Sequence, residues 1–308
     1  MMETGGNPSG QCPAGVKGHC SMTEYPTYPG FKLELVEDFD QPIDLDNDPI
    51  WTYGDGALDE GQVRMAKAGV TFENGRMKLT ASRMQMPGGQ SFSEDKTVAT
   101  QPLRSGEFRS KYNNFRYGRY EVRLKPPTSN GNFISTMFIF RTPKVVFWRE
   151  VDIELTASST SLVGTNVVFG DDKRTYDATA NSYMEPSGGA NFNNQTDFHT
   201  YAFEWLPNKI TWYVDGREVR SHAGPNPPLP EKSAKIMMNL WIFNATYAFG
   251  GRNGAQNQYP LVAEYDWFRF YKADMENKYP CWDTPNCLDM ADRIRSKNNP
   301  TDGVMDIR

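Results

Sequence analysis

The sequence predicts an all-β fold, an antiparallel β-sandwich formed by one domain. Two observations carry this expectation. From about Phe31 to Lys272 short runs alternate apolar with polar residues, and Gly, Pro, Asn and Asp interrupt them at short intervals. That alternation is the period of a half-buried strand, and the interruptions suit antiparallel turns. Long amphipathic helical periods are absent, the best helical segment being Cys287 to Lys297 near the C-terminus. No internal repeat of fixed period stands out.

Taken in chain order, the first segment (1–30) is rich in Gly and Pro and holds Cys12 and Cys20, while the last (273–308) is rich in Pro and Asn and holds Cys281 and Cys287. The expected organisation is a Cys-bearing N-terminal extension, a thiol-free central domain (31–272) and a Cys-bearing C-terminal extension. The simplest disulfide pairing is Cys12–Cys20 and Cys281–Cys287, with a link between the two ends as the alternative. Zinc fits spacings of seven and five intervening residues poorly. Thiols confined to the ends favour an oxidised, secreted protein. The start, Met1 to Gly6, lacks the apolar core of a signal peptide, so any such segment has been removed or never existed. Asn194-Gln195-Thr196 and Asn244-Ala245-Thr246 are formal glycosylation acceptors.

Within the central domain, Tyr120 to Lys125 alternates apolar with charged residues, as a strand does. Ile210 to Val214 alternates likewise and runs into Asp215-Gly216, a dipeptide that predicts a two-residue hairpin turn. Met237 to Phe243 is apolar at nearly every position, which predicts a central strand covered on both faces. Asn239 and Trp241 share one of those faces. Trp241 fits a core position or an indole exposed to stack on a sugar ring.

Glu150-Val151-Asp152-Ile153-Glu154 is the most telling run. On a strand, residues two apart point the same way, so Glu150, Asp152 and Glu154 share one face and Val151 and Ile153 the other. Such a pattern also suits a solvated outer face. If the carboxylates are enclosed, they raise one another's pKa, leaving one Glu protonated beside another that is ionised. Adjacent same-face residues lie roughly 6–7 Å apart and the two Glu α-carbons roughly 13 Å. Side chains leaning along the strand can bring the carboxyls toward the ~5–5.5 Å of retaining glycosidases, where one Glu attacks the sugar and the other protonates the leaving oxygen.

Other chemistries lack their residues. With a net charge of −5 over 308 residues the chain has no cationic field for nucleic acid. No run of 18 apolar residues is present to span a membrane. His19, His199 and His222 are too scattered for a metal motif. No Gly-x-Ser-x-Gly elbow occurs, and Gly54-Asp55-Gly56 has Asp59 where a dinucleotide loop needs its third Gly.

Seven blocks together resemble the family 16 glycoside hydrolases, most closely the lichenase (endo-β-1,3-1,4-glucanase) branch: Ser105 to Ser110, Tyr117 to Arg123, Trp148 to Glu154, His199 to Trp205, Trp212 to Gly216, Ile236 to Trp241, and Tyr265 to Trp267. The resemblance implies a concanavalin A-like β-jelly-roll of two curved antiparallel sheets and a cleft for an extended glucan. By motif position it implies Glu150 as nucleophile, Glu154 as acid/base and Asp152 as the residue tuning the nucleophile. It further implies that Glu107, Arg109, Asn166 and Asn239 contact sugar hydroxyls, that Trp148 and Trp241 stack on sugar, and that Phe138 and Phe140 line the cleft. No cofactor serves catalysis in this family. A structural calcium is possible in it, and Pro42, Gly75 and Asp266 occupy the comparable positions.

Some positions depart from the lichenase pattern. Arg149 stands where an acidic residue is usual, Leu155-Thr156-Ala157 replaces an aromatic and a Gly, and Val168 replaces a Tyr that contacts sugar. The expectation is a changed groove floor and a looser subsite. The function implied is a secreted, monomeric, retaining endo-β-glucanase acting on mixed-linkage or related β-glucan. Because a Cys-bearing C-terminal extension also resembles the xyloglucan enzymes of the family, transglycosylation is the alternative. A non-catalytic, lectin-like sandwich is a third.

Overall fold

The computed structural model describes residues 10–57, 63–83, 103–141, 148–171, 177–184, 192–242 and 257–282. Among these, the first ten strands are β1 (Lys17–His19), β2 (Phe31–Glu37), β3 (Trp51–Tyr53), β4 (Gly56–Ala57), β5 (Val63–Met65), β6 (Val70–Phe72), β7 (Met77–Arg83), β8 (Leu103–Ser105), β9 (Glu107–Ser110) and β10 (Gly118–Lys125). There follow β11 (Ile134–Phe140), β12 (Trp148–Thr156), β13 (Val163–Gly170), β14 (Ala178–Thr179), β15 (Ser182–Met184), β16 (His199–Leu206), β17 (Lys209–Val214), β18 (Arg217–His222), β19 (Lys235–Trp241) and β20 (Leu261–Ala273). The helical content of the described residues is one 3-10 turn at Lys67–Gly69. The segment expected to be helical, Cys287 to Lys297, lies outside them.

Two sheets stack on one core. The larger, of twelve strands, follows the order β18-β17-β16-β10-β20-β7-β8-β5-β4, with β2 also on β20, β1 on β2 and β6 on β7. The smaller, of eight, follows β14-β13-β12-β11-β19-β9-β3, with β15 also on β13. Pairing is antiparallel except for β1 with β2 and β5 with β8. This is the all-β sandwich that the alternating runs predict. Strand β20 holds the larger sheet together, because β10 lies along one side while β2 and β7 share the other.

Alternation sorts the smaller sheet's side chains. Met137 and Ile139 of β11, Val151, Ile153 and Leu155 of β12, and Ile236, Met238 and Leu240 of β19 turn into the core. They meet Tyr120 and Val122 of β10, Phe203 and Trp205 of β16, and Phe268 and Phe270 of β20. Fully burying each such side chain contributes roughly 1.5–3 kcal/mol, so the register of β12 is firmly set. Polar bonds also cross this core: the Trp212 indole N–H donates to the main-chain oxygen of Asp152 at 3.0 Å, and the Tyr265 hydroxyl donates to that of Thr136 at 2.8 Å.

The Asp215-Gly216 turn joins β17 to β18 as expected, with φ of 48° and 77° at the two residues. Both are left-handed, the requirement of a type I′ turn, which Gly meets without strain and Asp tolerates. Strand β19 is buried along both faces, as its apolar run predicts, and ends at the half-buried Trp241.

The N-terminal extension is built onto the sandwich. Cys12 and Cys20 form a disulfide, closing a loop whose strand β1 adds to β2. The bridge lies within the extension, and the anchoring falls to other groups. His19 Nδ1 bonds Glu37 Oε2 at 2.8 Å, and the Trp51 indole donates to Glu37 Oε1. Tyr25 Oη and the Ser21 amide donate to Asp38 Oδ2 at 2.6 and 2.8 Å. Burial pushes the Glu37 carboxyl up to about 7 against the opposing pull of His19 and Trp51, and the bond to Glu37 raises His19. Cys281 is disulfide-bonded, and Cys287, its expected partner, lies outside the described residues.

Two outcomes follow from this anchor. Replacing both Cys12 and Cys20 with Ser lowers stability by about 2 kcal/mol in thermal melting, from the lost loop constraint, and leaves turnover unchanged. Because Glu37 and His19 each bind a proton more tightly folded than unfolded, their joint contribution is full at acid pH and is lost as pH rises from about 4.5 through 7. Glu37→Gln should flatten that fall in a series of melts against pH; an equally steep fall would show that the pair does not control it.

Candidate active site

The face of the smaller sheet turned away from the core carries the expected cluster. Strand β12 lies between β11 and β13, and its outward positions form rows across the sheet. Glu150 stands between Phe140 and Val168, Asp152 between Phe138 and Asn166, and Glu154 between Thr136 and Gly164. The sequence brings the three carboxylates together simply through the period of two, with the core-facing Val151, Ile153 and Leu155 preventing a slip.

These carboxyls are not a solvated outer face. Asp152 is 5% exposed, and Glu154 Oε2 is shut off from solvent with no hydrogen-bond partner among the described residues. Burial first, then the charges of Glu150 and Glu154, push the Asp152 carboxyl well above the usual range; it holds its proton and shares it in a bond with Glu150. Burial and the Glu150 charge push Glu154 up to about 8. Glu150 accepts a second bond, from the Trp148 indole to Oε2 at 2.5 Å. One carboxyl is thus held by two donors while another keeps its proton near neutral pH, the division of labour that acid-assisted nucleophilic displacement needs.

Around the cluster the sheet presents both apolar and polar patches. Phe138, Phe140 and Met237 pack together with Trp148 against them, the Phe140 and Trp148 rings meeting edge to face at 6.2 Å. On the other side of β11, Thr136 donates to Asn239 Oδ1 at 2.7 Å, Asn239 Nδ2 donates to Glu107 Oε2 at 3.3 Å, and Arg109 Nη1 approaches Glu107 Oε1 at 3.4 Å. Gly54 permits that cluster, since a Cβ there would lie 2.5 Å from Glu107 Oε1. Asn166 accepts from Thr179 at 2.8 Å. Trp241 is half-buried on the same face, packed against the rim of the core.

The amino-acid sequence between residues 59 and 267 matches the model of the glycosyl hydrolases family 16. The chain belongs to that family. It is 34% identical over 244 residues to a β-glucanase of Paenibacillus polymyxa, covering 75% of this chain and 87% of that one. A β-glucanase of Acetivibrio thermocellus is 37% identical over 203 residues, covering 66% of this chain and 52% of its own. Among solved structures, a prokaryotic β-1,3-1,4-glucanase (lichenase) from a mouse hindgut metagenome superposes with a TM-score of 0.61 at 26% identity, covering 77% of this chain and 98% of the other. The sandwich described above is therefore the family 16 jelly-roll, and this protein is a glycoside hydrolase.

Several residues take places or duties that the family pattern alone does not give. Arg149 does not alter the groove floor. It points opposite to Glu150, is buried, and spends its guanidinium on Asp171 and Glu231, at 2.7 and 2.8 Å, and on the face of the Phe169 ring. Trp148, expected as a stacking platform, gives its indole N–H to Glu150. Thr136 was not singled out in the sequence because one Thr between apolar residues gives no signal; only the register beside Glu154 reveals it.

The positions comparable to a family calcium site do not fit the ion. The Asp266 carboxylate is bonded to Arg123 at 2.5 Å and lies 3.7 Å from Arg76, so two guanidiniums occupy the ground a divalent cation would need. Pro42 is exposed, and Gly75 sits in a left-handed turn beside Asp40. Among the described residues no group of three metal-binding side chains converges. Asn194 is buried, and its amide donates toward Ser159 and Leu162 carbonyls, so the fold does not present it as a glycosylation acceptor. Asn244 lies outside the described residues.

The Arg149 geometry yields a test. Arg149→Met keeps the stem but removes the charge-assisted bonds, and should lower stability by about 2–3 kcal/mol in thermal melting. With its head on the far side of the strand from the carboxylates, KM should be unaltered in the folded enzyme. A raised KM would return Arg149 to the groove.

Proposed function

We propose that this protein is a secreted, retaining endo-β-glucanase that cleaves mixed-linkage β-1,3-1,4-glucan or a closely related β-glucan. Glu150 is the nucleophile, Glu154 the general acid and then base, and Asp152 the residue that keeps Glu150 in place. The observation that carries this reading is the unequal treatment of the two Glu residues: Glu150 accepts from Trp148 and Asp152, while Glu154 keeps a proton and has a buried oxygen with no partner among the described residues. That oxygen is aimed for the glycosidic oxygen of a substrate. Relatives named as β-glucanases and a lichenase of the same fold support the substrate class.

The chemistry follows in two displacements. Glu150 attacks the anomeric carbon as the bond to the leaving oxygen breaks, and the Glu154 proton passes to that oxygen. Glu154, now a carboxylate, takes a proton from the water that attacks the same carbon and releases Glu150. Two inversions give net retention, and the carboxylates supply every proton and bond required, with no cofactor. Glu107, Arg109, Asn166 and Asn239 offer bonds to sugar hydroxyls, while Trp148, Trp241, Phe138 and Phe140 supply apolar surface. The catalytic domain spans 31–272, flanked by the extensions 1–30 and 273–308, and the protein works as a monomer. Secretion is supported by the disulfide at the N-terminal end.

Product analysis on lichenan, laminarin and xyloglucan, with and without an oligosaccharide acceptor, tests the substrate and the fate of the intermediate. Glu150→Gln should keep the fold and glucan binding while turnover falls by about three or more orders of magnitude. NMR of fresh product should show the β-anomer first; the α-anomer would sink the mechanism. A general acid with a pKa near 8 works below that pH and is lost above it, so kcat/KM should fall on the basic side from about pH 8. A basic limb that persists unchanged in Glu154→Gln would remove Glu154 from that role.

A further inference from the structure

The row containing Glu154 continues one strand past Gly164. In register across the sheet stand Thr136 of β11, Glu154 of β12, Gly164 of β13 and Tyr183 of β15. Gly164 is the only member without a side chain, and the space it leaves is shared by its two neighbours. A Cβ on Gly164 would lie 2.8 Å from Tyr183 Cε1 and 3.1 Å from Glu154 Cβ. The tyrosine ring therefore lies over the glycine and reaches toward the acid. Its phenol is raised by burial first, then by the charges of Glu154 and, more weakly, Asp152, as expected for a hydroxyl on the carboxylate side. Yet the side chain remains 36% exposed, one of two large apolar side chains left so open among the described residues. An aromatic with one edge over a general acid and one face in solvent is unusual for a core filler.

We propose that Tyr183 is a positioning residue for Glu154: its ring, seated over Gly164, closes the sheet-edge side of the acid carboxyl against water and offers its open face to the sugar on the leaving-group side. This rests on Glu154 being the acid/base. Of the groups facing Glu154, Glu150 and Asp152 on its own strand are ionisable, Thr136 from β11 and Gly164 from β13 are not, and Tyr183 is the one contribution from β15. Removing the ring would let water reach the carboxyl from the edge, and hydration favours its charged form. The hydroxyl is incidental, and the ring is the working part. The position also compensates for Val168, which gives this chain no aromatic on the neighbouring β13 row opposite Glu150.

The test uses Tyr183→Ala, Tyr183→Phe and Gly164→Ala in the full chain, with lichenan as substrate and melting temperature as a control for folding. Tyr183→Ala should move the basic limb of kcat/KM down by about one pH unit and raise KM about five- to tenfold through loss of an aromatic–sugar contact. Tyr183→Phe should return both to the wild-type values. Gly164→Ala keeps the ring but fills its seat, and should move the limb in the same direction. An unmoved limb and KM in folded Tyr183→Ala overturn the proposal, as does a failure of Tyr183→Phe to restore them. Glu154→Gln separates the two levels: if it abolishes the basic limb while Tyr183→Ala leaves that limb in place, the acid/base reading stands and only the role of Tyr183 falls. If Glu154→Gln keeps the limb, the acid/base reading itself fails.

Discussion

The fold and the chemistry both depend on strand β12 having two unlike faces. Val151, Ile153 and Leu155 are in the core, and between them the backbone turns Glu150, Asp152 and Glu154 the other way. A shift of one residue in the pairing would drive three carboxyls into the hydrocarbon interior and three aliphatic side chains out of it. No smaller error is available to a strand. The interior therefore sets the placement of the three carboxyls.

Burial then divides the labour among three chemically similar side chains. In water they would ionise together near pH 4. Under the aromatic cover of Phe138, Phe140 and Trp148, a second and third charge become too expensive, so Asp152 and Glu154 keep protons while Glu150 is supplied with donors. The same physics operates under the N-terminal extension, where Glu37, enclosed by Trp51 and His19, is pushed up to about 7. A raised carboxyl alone thus does not mark an active site. What distinguishes Glu154 from Glu37 is a buried oxygen that has no partner among the described residues.

Much of this was legible in the sequence, and the illegible part has a common cause. Period-two runs revealed the sandwich, the carboxylate face, the Asp215-Gly216 hairpin and the doubly covered strand ending at Trp241. Periodicity tells which face a residue takes within its own strand. It does not tell which residue of another strand stands opposite. Thr136, Gly164 and Tyr183 come together at Glu154 from three separate segments, so only register reveals them. Arg149 shows the converse: a family departure next to the nucleophile looks catalytic by position, yet strand alternation turns it to the opposite side, where Asp171 and Glu231 hold it. Asp266 fails as a cation ligand for a similar reason, because Arg76, just ahead of β7, and Arg123 of β10 arrive from other segments.

The hydrogen bond from the Trp212 indole to the main-chain oxygen of Asp152 spans the interior at the middle of the carboxylate row. The Tyr265 hydroxyl makes a second such bond, to the main-chain oxygen of Thr136, which stands beside Glu154, so the two layers are tied at neighbouring rows. Sliding one sheet over the other would have to break both bonds in a medium where no partner finds water. The layer that carries the three carboxyls is thereby fastened to its counterpart directly beneath them, where a change in their spacing would have to begin.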